Sequence, residues 1–247
     1  MSNFSEKKID YKQYVIDSQL RYFKPHATKI EKSFAEEISY SLNQNSKFIN
    51  PKFFYDRKGS ELFESITSLP EYYPTRTEIS ILKKLKHDLP SYLDENMNLV
   101  ELGSGASVKT RLILDIFTKL QAKTEYFPID ISEILTESSE QLLKDYDSLH
   151  ITGIIDTYEG GLEFLKNYDD KKNLILFLGS SFGNFTPDDG KLFLKKIFST
   201  MNSDDLFLIG LDLVKDKNIL ESAYDDSQGI TAKFNLNVLS RINDELD

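Results

Sequence analysis

The chain has 247 residues, 40% of them hydrophobic, enough for one large domain, or one domain and a small lobe, around a packed core. Its 40 acidic and 30 basic side chains leave a net charge of −10 with no basic run, a balance that repels a phosphate backbone and argues against nucleic acid as substrate or partner. Cysteine is absent, which excludes disulfides, thiol catalysis and zinc–cysteine sites, and no stretch approaches the roughly 18 apolar residues of a membrane span. His26, His87 and His150 lie far apart and beside no acidic ligand pattern, so no metal site is expected. The expectation is a soluble cytoplasmic protein working on a small molecule, with no membrane and no nucleic acid as partner; the oligomeric state is left open.

Residues 1–50 read as helices, because Ile30, Phe34, Ile38 and Leu42 recur four apart as an amphipathic stripe. The segment Asn50-Pro51-Lys52-Phe53-Phe54-Tyr55-Asp56-Arg57-Lys58-Gly59-Ser60 is dense in aromatics and turns on glycine, and a helix with Leu62, Phe63 and Ile66 on one face follows. Leu69-Pro70-Glu71-Tyr72-Tyr73-Pro74-Thr75-Arg76 is a loop stiffened by two prolines, after which Thr75 and Glu78 form a capping box for a helix running to about Leu85. A stiff loop suits holding Tyr72 and Tyr73 over a ligand; plain aromatic packing accounts for them equally well.

From residue 99 the chain alternates. Strands are predicted at 99–102, 126–130, 151–155, 174–178 and 206–211, and helices at about 108–121, 132–145, 187–200 and 217–246. This alternation predicts an α/β fold with a mostly parallel sheet covered on both faces, and a boundary near residue 95.

Ligands of an open parallel sheet bind outside the carboxyl ends of its strands. The first strand ends at Glu101-Leu102 and breaks at Gly103-Ser104-Gly105-Ala106-Ser107 before a helical pattern resumes. Glycines let the backbone turn tightly and approach a ligand, and the N–H groups of the new helix point at it. The third glycine of a dinucleotide fingerprint is missing, which disfavours a nicotinamide cofactor and suits a smaller adenosyl ligand, or a turn that binds nothing. Asp130, closing the second strand, can accept both ribose hydroxyls or serve as a helix N-terminal acid. The third strand ends at Asp156-Thr157-Tyr158, which suits an adenine edge and face or a simple turn. The fourth ends at Gly179-Ser180-Ser181-Phe182-Gly183-Asn184, where Asn184 is a ligand contact or a turn residue, and Thr186 with Pro187 starts the next helix. Tyr224-Asp225-Asp226 is a solvated face or the wall of a cationic-substrate site.

With these residues laid out, the chain resembles the histidine-specific S-adenosylmethionine-dependent methyltransferases, whose best-known members are the L-histidine Nα-methyltransferases of ergothioneine biosynthesis. The resemblance runs from about residue 45 to the last residue. It rests on Phe54-Tyr55-Asp56 with Gly59-Ser60, Leu69-Pro70-Glu71-Tyr72-Tyr73-Pro74-Thr75-Arg76, Glu101-Leu102-Gly103-Ser104-Gly105 with Lys109-Thr110-Arg111, Phe177-Leu178-Gly179-Ser180, Gly183-Asn184, Asp212-Leu213-Val214-Lys215-Asp216, Ala223-Tyr224-Asp225-Asp226 and Phe234-Asn235.

The resemblance implies a Rossmann-like class I methyltransferase. Residues 1–95 would be a helical segment contributing to the substrate site, 96–216 the S-adenosylmethionine-binding core, and 217–247 the start of a substrate-binding lobe. It implies that Gly103, Lys109, Asp130, Thr157 and Tyr158 contact S-adenosylmethionine, together with Tyr55 in the motif lining the same cleft. Tyr72, Asn184 and Tyr224 would bind the amino-acid substrate. The family usually carries an acid where this chain has Thr157, with Asp156 one position earlier. The family also continues past Asp247, through the last two strands of its sheet and the groups that hold the imidazole ring, so a truncated chain with an uncovered fifth strand is expected. The implied reaction is methylation of the α-amino group of a free amino acid, L-histidine first, by in-line displacement. Alternatives are another amino acid, such as a tryptophan derivative, or a cofactor-binding protein without activity.

Overall fold

The computed structural model describes residues 10–26, 33–105, 108–132 and 134–246. The chain divides into two compact units, one formed by residues 1–27 and 79–211, the other by residues 28–78 and 212–247.

The first unit is built on a seven-stranded sheet. Its strands are β1 (Tyr11–Val15), β2 (Leu20–Pro25), β3 (Met97–Leu102), β4 (Thr124–Asp130), β5 (Leu149–Ile155), β6 (Lys172–Phe177) and β7 (Leu206–Ile209), in the spatial order β1-β2-β5-β4-β3-β6-β7. Among the described residues the β1–β2 pair alone is antiparallel and every other pairing is parallel. Side chains alternate across the sheet into two separate cores. Leu99, Tyr126, Ile151, Leu174 and Leu176 face Ile113, Leu114 and Phe117 of one helix, Val108–Leu120, and Leu135 and Leu142 of another, Ile134–Leu143. Val100, Leu102, Phe127, Ile129, Ile154, Ile175 and Phe177 face Leu162 and Leu165 of the helix Tyr158–Lys166 and Phe193 and Ile197 of the helix Pro187–Thr200. Burial on both faces is why these strands read as continuous apolar runs. Beyond β3 the strand order reverses, with β4 on one side and β6 on the other, which makes the carboxyl ends of β3 and β6 the switch point of the sheet.

All five strands expected after residue 99 are present. The helical reading of residues 1–50 is corrected at its start, where residues 11–25 form a β-hairpin. Tyr11, Tyr14, Val15, Tyr22 and Phe23 are residues suited to a pleated surface, and Leu20 and Tyr22, two apart, are both buried in the core. Asp17 fixes the turn by accepting the N–H groups of Gln19 at 2.7 Å and Leu20 at 2.9 Å. At the opposite end of the sheet β7 pairs only with β6, so its outer edge is open among the described residues.

The second unit is helical. In chain order the helices of the whole molecule are α1 (Phe34–Leu42), α2 (Arg57–Thr67), α3 (Tyr73–Leu85), α4 (Val108–Leu120), α5 (Ile134–Leu143), α6 (Tyr158–Lys166), α7 (Pro187–Thr200), α8 (Lys217–Tyr224) and α9 (Ile230–Leu246). A capping box between Ser33 and Glu36 starts α1, and its stripe of Phe34, Ile38 and Leu42 packs with Phe53 and Val238 as the pattern predicts; Ile30 lies outside the described residues. Two other readings are corrected. Helix α3 starts at Tyr73 rather than Thr75, with Pro74 preset for the first turn. The single helix expected over 217–246 is broken into α8 and α9, because Asp226 accepts the N–H groups of Gln228, Ile230 and Thr231 and restarts the chain as a new helix.

Candidate functional site

The strand ends of the first unit gather most of the expected residues. After β3, Gly103 and Gly105 take φ values of +75° and +48°, the left-handed region that favours glycine. The Gly103 N–H bonds the Ile129 carbonyl at 2.9 Å, tying the turn to β4. A Cβ on Gly103 would stand 2.8 Å from the Tyr158 hydroxyl, so Tyr158 lies directly against this turn. The Tyr158 ring is held edge-on by Phe177 and Phe193. Ala106 and Ser107 lie outside the described residues. Lys109, on the first turn of α4, reaches the end of β6, since a Cβ on Gly179 (φ +85°) would be 3.1 Å from its Nζ. Lysine and glycine turn therefore meet across the switch point.

Asp130 ends β4 half-buried and accepts the Ser132 N–H at 2.9 Å. Burial raises its pKa, and the N–H groups of Ser132 and Ile131 offset this in part. It thus takes part in the local turn, yet a carboxylate offers about four acceptor positions, which leaves capacity for a ligand hydroxyl. Glu101, one residue from the end of β3, is 3% exposed and accepts from Tyr126 at 2.6 Å and Thr110 at 2.8 Å. Burial pushes its pKa up to about 7, against those two hydrogen bonds and the Lys109 charge.

Thr157 turns out to be the N-cap of α6, its hydroxyl accepting the Gly160 N–H at 3.2 Å. Its side chain is therefore already engaged in the helix. The neighbouring Asp156 accepts from the Tyr11 hydroxyl at 2.5 Å and from the Thr157 N–H at 2.7 Å. Sequence reasoning misses Tyr11, which falls in the stretch read as helices; Lys12 and Gln13 interrupt the apolar pattern that would mark β1 as a strand. Asn184 ends the short 3-10 turn Ser181–Asn184 and is exposed, and Ser180 at its start holds φ +58°, a strained conformation for a non-glycine residue.

The second unit holds the three expected tyrosines. Tyr72 is 6% exposed and packs edge-on with Tyr224 at 5.9 Å between ring centres. Phe63 bridges Tyr72 and Tyr55, and Tyr55 also meets Phe234. Burial raises the pKa of the Tyr72 hydroxyl, and the nearby Tyr224 and Tyr55 add to it, so this group stays protonated at neutral pH. Beside it Tyr73 donates to Asp212, and the Lys215 ammonium bonds Asp212 and lies 4.5 Å over the Tyr73 ring. The loop carrying these tyrosines is braced by Arg76 to the Leu69 carbonyl at 3.2 Å and by Ser227 to Glu71 at 2.7 Å. Within this unit, then, Tyr55, Tyr72 and Tyr224 form one aromatic group, while Gly103, Lys109, Asp130, Thr157, Tyr158 and Asn184 belong to the first unit.

Comparison with known proteins bears on what this arrangement is for. The family profile described as histidine-specific, SAM-dependent methyltransferase matches residues 34–247. A histidine N-alpha-methyltransferase of Mycobacterium tuberculosis is 39% identical over 212 residues, covering 85% of this chain and 65% of that protein. Ergothioneine biosynthesis protein 1 of Neurospora crassa is 35% identical over 192 residues, covering 77% of this chain and 22% of that protein. The chain thus spans about two-thirds of the mycobacterial relative and less of the fungal one. Among solved structures, one from Thermobifida fusca described as a candidate methyltransferase superposes with a TM-score of 0.50 at 13% identity, over 81% of this chain and 72% of that one, a likeness of fold.

Proposed function

The chain belongs to the family of histidine-specific, S-adenosylmethionine-dependent methyltransferases, and we propose that it methylates the α-amino group of L-histidine. The observation that carries this reading is the 39% identity to a histidine N-alpha-methyltransferase, on a chain whose glycine turn follows β3 and whose lysine reaches the end of β6, the switch point of its sheet, with Asp130 closing the adjacent β4.

The residues present fit such a cofactor. Gly103 has no room for a side chain and exposes backbone for a close approach. The Lys109 ammonium beside Gly179 suits the carboxylate of the methionine part, and Asp130 has acceptor capacity for ribose hydroxyls. When bound, the cofactor supplies an electrophilic methyl group on a sulfonium. The work left to the protein is to align donor and acceptor and to exclude water. The residues proposed to contact the amino-acid substrate are Asn184 in the first unit and the neighbouring Tyr72 and Tyr224 in the second. The Tyr72 hydroxyl, held protonated by burial, acts as a hydrogen-bonding group and not as a base. No strong base need be assigned, since desolvation of the substrate amine favours its neutral, attacking form.

The test is to incubate the chain with S-adenosylmethionine and L-histidine and follow both products by mass spectrometry. Successive methyl additions to histidine with matching S-adenosylhomocysteine release are expected. Methyl transfer only to a tryptophan derivative would replace the substrate, and cofactor binding with no transfer to either would leave a binding protein.

A further inference from the structure

We infer that Asp212 is a positioning residue for the amino-acid substrate: through the Tyr73 hydroxyl it holds the loop of residues 69–76 against the chain around α8, and so fixes the Tyr72 and Tyr224 hydroxyls relative to each other. This rests on the substrate reading above, in which both tyrosines contact the amino acid.

Three successive residues of that loop reach three different parts of the α8 region, all within the second unit. Glu71 accepts the Ser227 hydroxyl at 2.7 Å, just past the end of α8. Tyr72 packs edge-on with Tyr224, the last residue of α8. Tyr73 donates to Asp212, on the segment that leads into α8. Tyr72 is therefore bracketed in sequence by a polar link on either side. Apolar packing holds α8 only lightly, since Ala223 is its one buried side chain while Ile219 and Tyr224 stand about half exposed. A buried methyl contributes about 1 kcal/mol, so the polar links carry much of the hold on this helix.

The two oxygens of Asp212 have separate tasks. Oδ2 accepts the Tyr73 phenol, whereas Oδ1 accepts the Lys215 ammonium and the Leu213 N–H, the latter at 2.9 Å. Lys215 also donates to the Leu213 carbonyl at 2.6 Å and lies over the Tyr73 ring. One oxygen thus ties the carboxylate to its own segment and the other is offered to the loop. The side chains of Asp212 and Lys215 are 27% and 26% exposed, so the pair is better shielded than a freely solvated ion pair, which would hold little. Burial raises the Asp212 pKa, but the Lys215 and Tyr73 donors outweigh it, and the group stays ionised at neutral pH. The Tyr224 hydroxyl feels burial first, then the Asp212 charge and, with opposite sign, Lys215. The clasp therefore stands close to the hydroxyl it fixes.

Tyr73→Phe tests this, because it removes one phenol oxygen and leaves the ring. In calorimetric titration of the chain saturated with S-adenosylhomocysteine, this variant should bind L-histidine about 5- to 10-fold more weakly, with S-adenosylhomocysteine affinity unchanged. Asp212→Ala should weaken L-histidine binding at least as much, and adding Tyr73→Phe to it should cost nothing further, since both cut the same link. Asp212→Asn keeps an oxygen for the phenol and should bring L-histidine binding back to within about twofold of the unaltered chain. Unchanged L-histidine binding in Tyr73→Phe, additive losses in the double variant, or equal weakening toward both ligands with a lowered melting temperature would overturn the assignment while leaving the substrate reading intact. An unaltered chain that binds S-adenosylhomocysteine but no L-histidine would remove both.

Discussion

Asp226 accepts three backbone N–H groups at the start of α9, and its environment sets opposing effects against each other. Burial raises its pKa, but the donors of Thr231 and Ile230 outweigh burial and bring it down to about 2. Its contribution to stability is therefore complete above the ordinary carboxylate range, about pH 4, and is lost as pH falls from there to about 2. Asp226→Ala should cost about 1–2 kcal/mol in urea unfolding at pH 7, with a smaller deficit below pH 3. Glu101 has the opposite sign. Its folded pKa of about 7 means that its contribution is largest in acid and declines as pH rises from about 4 through 7. Glu101→Gln keeps acceptors for Tyr126 and Thr110 and should flatten the dependence of the melting temperature on pH between 5 and 8. For Asn184, substitution by alanine should weaken L-histidine binding by about tenfold while leaving S-adenosylhomocysteine affinity nearly unchanged in calorimetry; equal losses would remove its substrate role.

Among the elements, β3 to β7 were legible because strands buried on both faces carry their identity in composition. The hairpin β1–β2 was not, since Lys12, Gln13 and Arg21 break its apolar runs and the clear helical stripe of α1 was extended backward over it. Helix α6 was also missed. Gly160 and Gly161 are poor helix formers, and their reason is tertiary: a Cβ on Gly161 would stand 2.4 Å from Ile129 Cγ2, so the helix is seated tightly on the sheet. Gly161→Ala, though it favours helix locally, should destabilise the fold by about 1–3 kcal/mol, measurable by urea titration. Among the candidate residues, the glycine turn and Asp130 stood out in the sequence because each lies at a strand end, and Tyr72 because it lies in a two-proline loop, whereas Lys109, on the first turn of α4, was named only through the family resemblance. The link between Tyr11 and Asp156 did not stand out, because it joins residues 145 positions apart through a register that only pairing defines.

For the molecule as a whole, the two ends of the sheet differ. The β1 edge carries Lys12, a charge that discourages further pairing, whereas β7, whose outer edge is unpaired among the described residues, lies beside a groove lined in part by Leu194, Phe198, Met201 and Phe207. Phe198 is 80% exposed. The chain should self-associate with rising concentration in sedimentation velocity, and Phe198→Asp should reduce this without lowering the melting temperature. The hairpin at the other end has a practical corollary. The family profile begins at residue 34, beyond both hairpin strands. A shortened version trimmed to that boundary would strip β2 from β5, bare the flank of Ile151 and Ile154, and discard the phenol that steadies Asp156. Trimming the chain to its shared part would then remove two strands of its sheet together with the buried Leu20 and Tyr22, and low stability in such a shortened version would reflect the trimming.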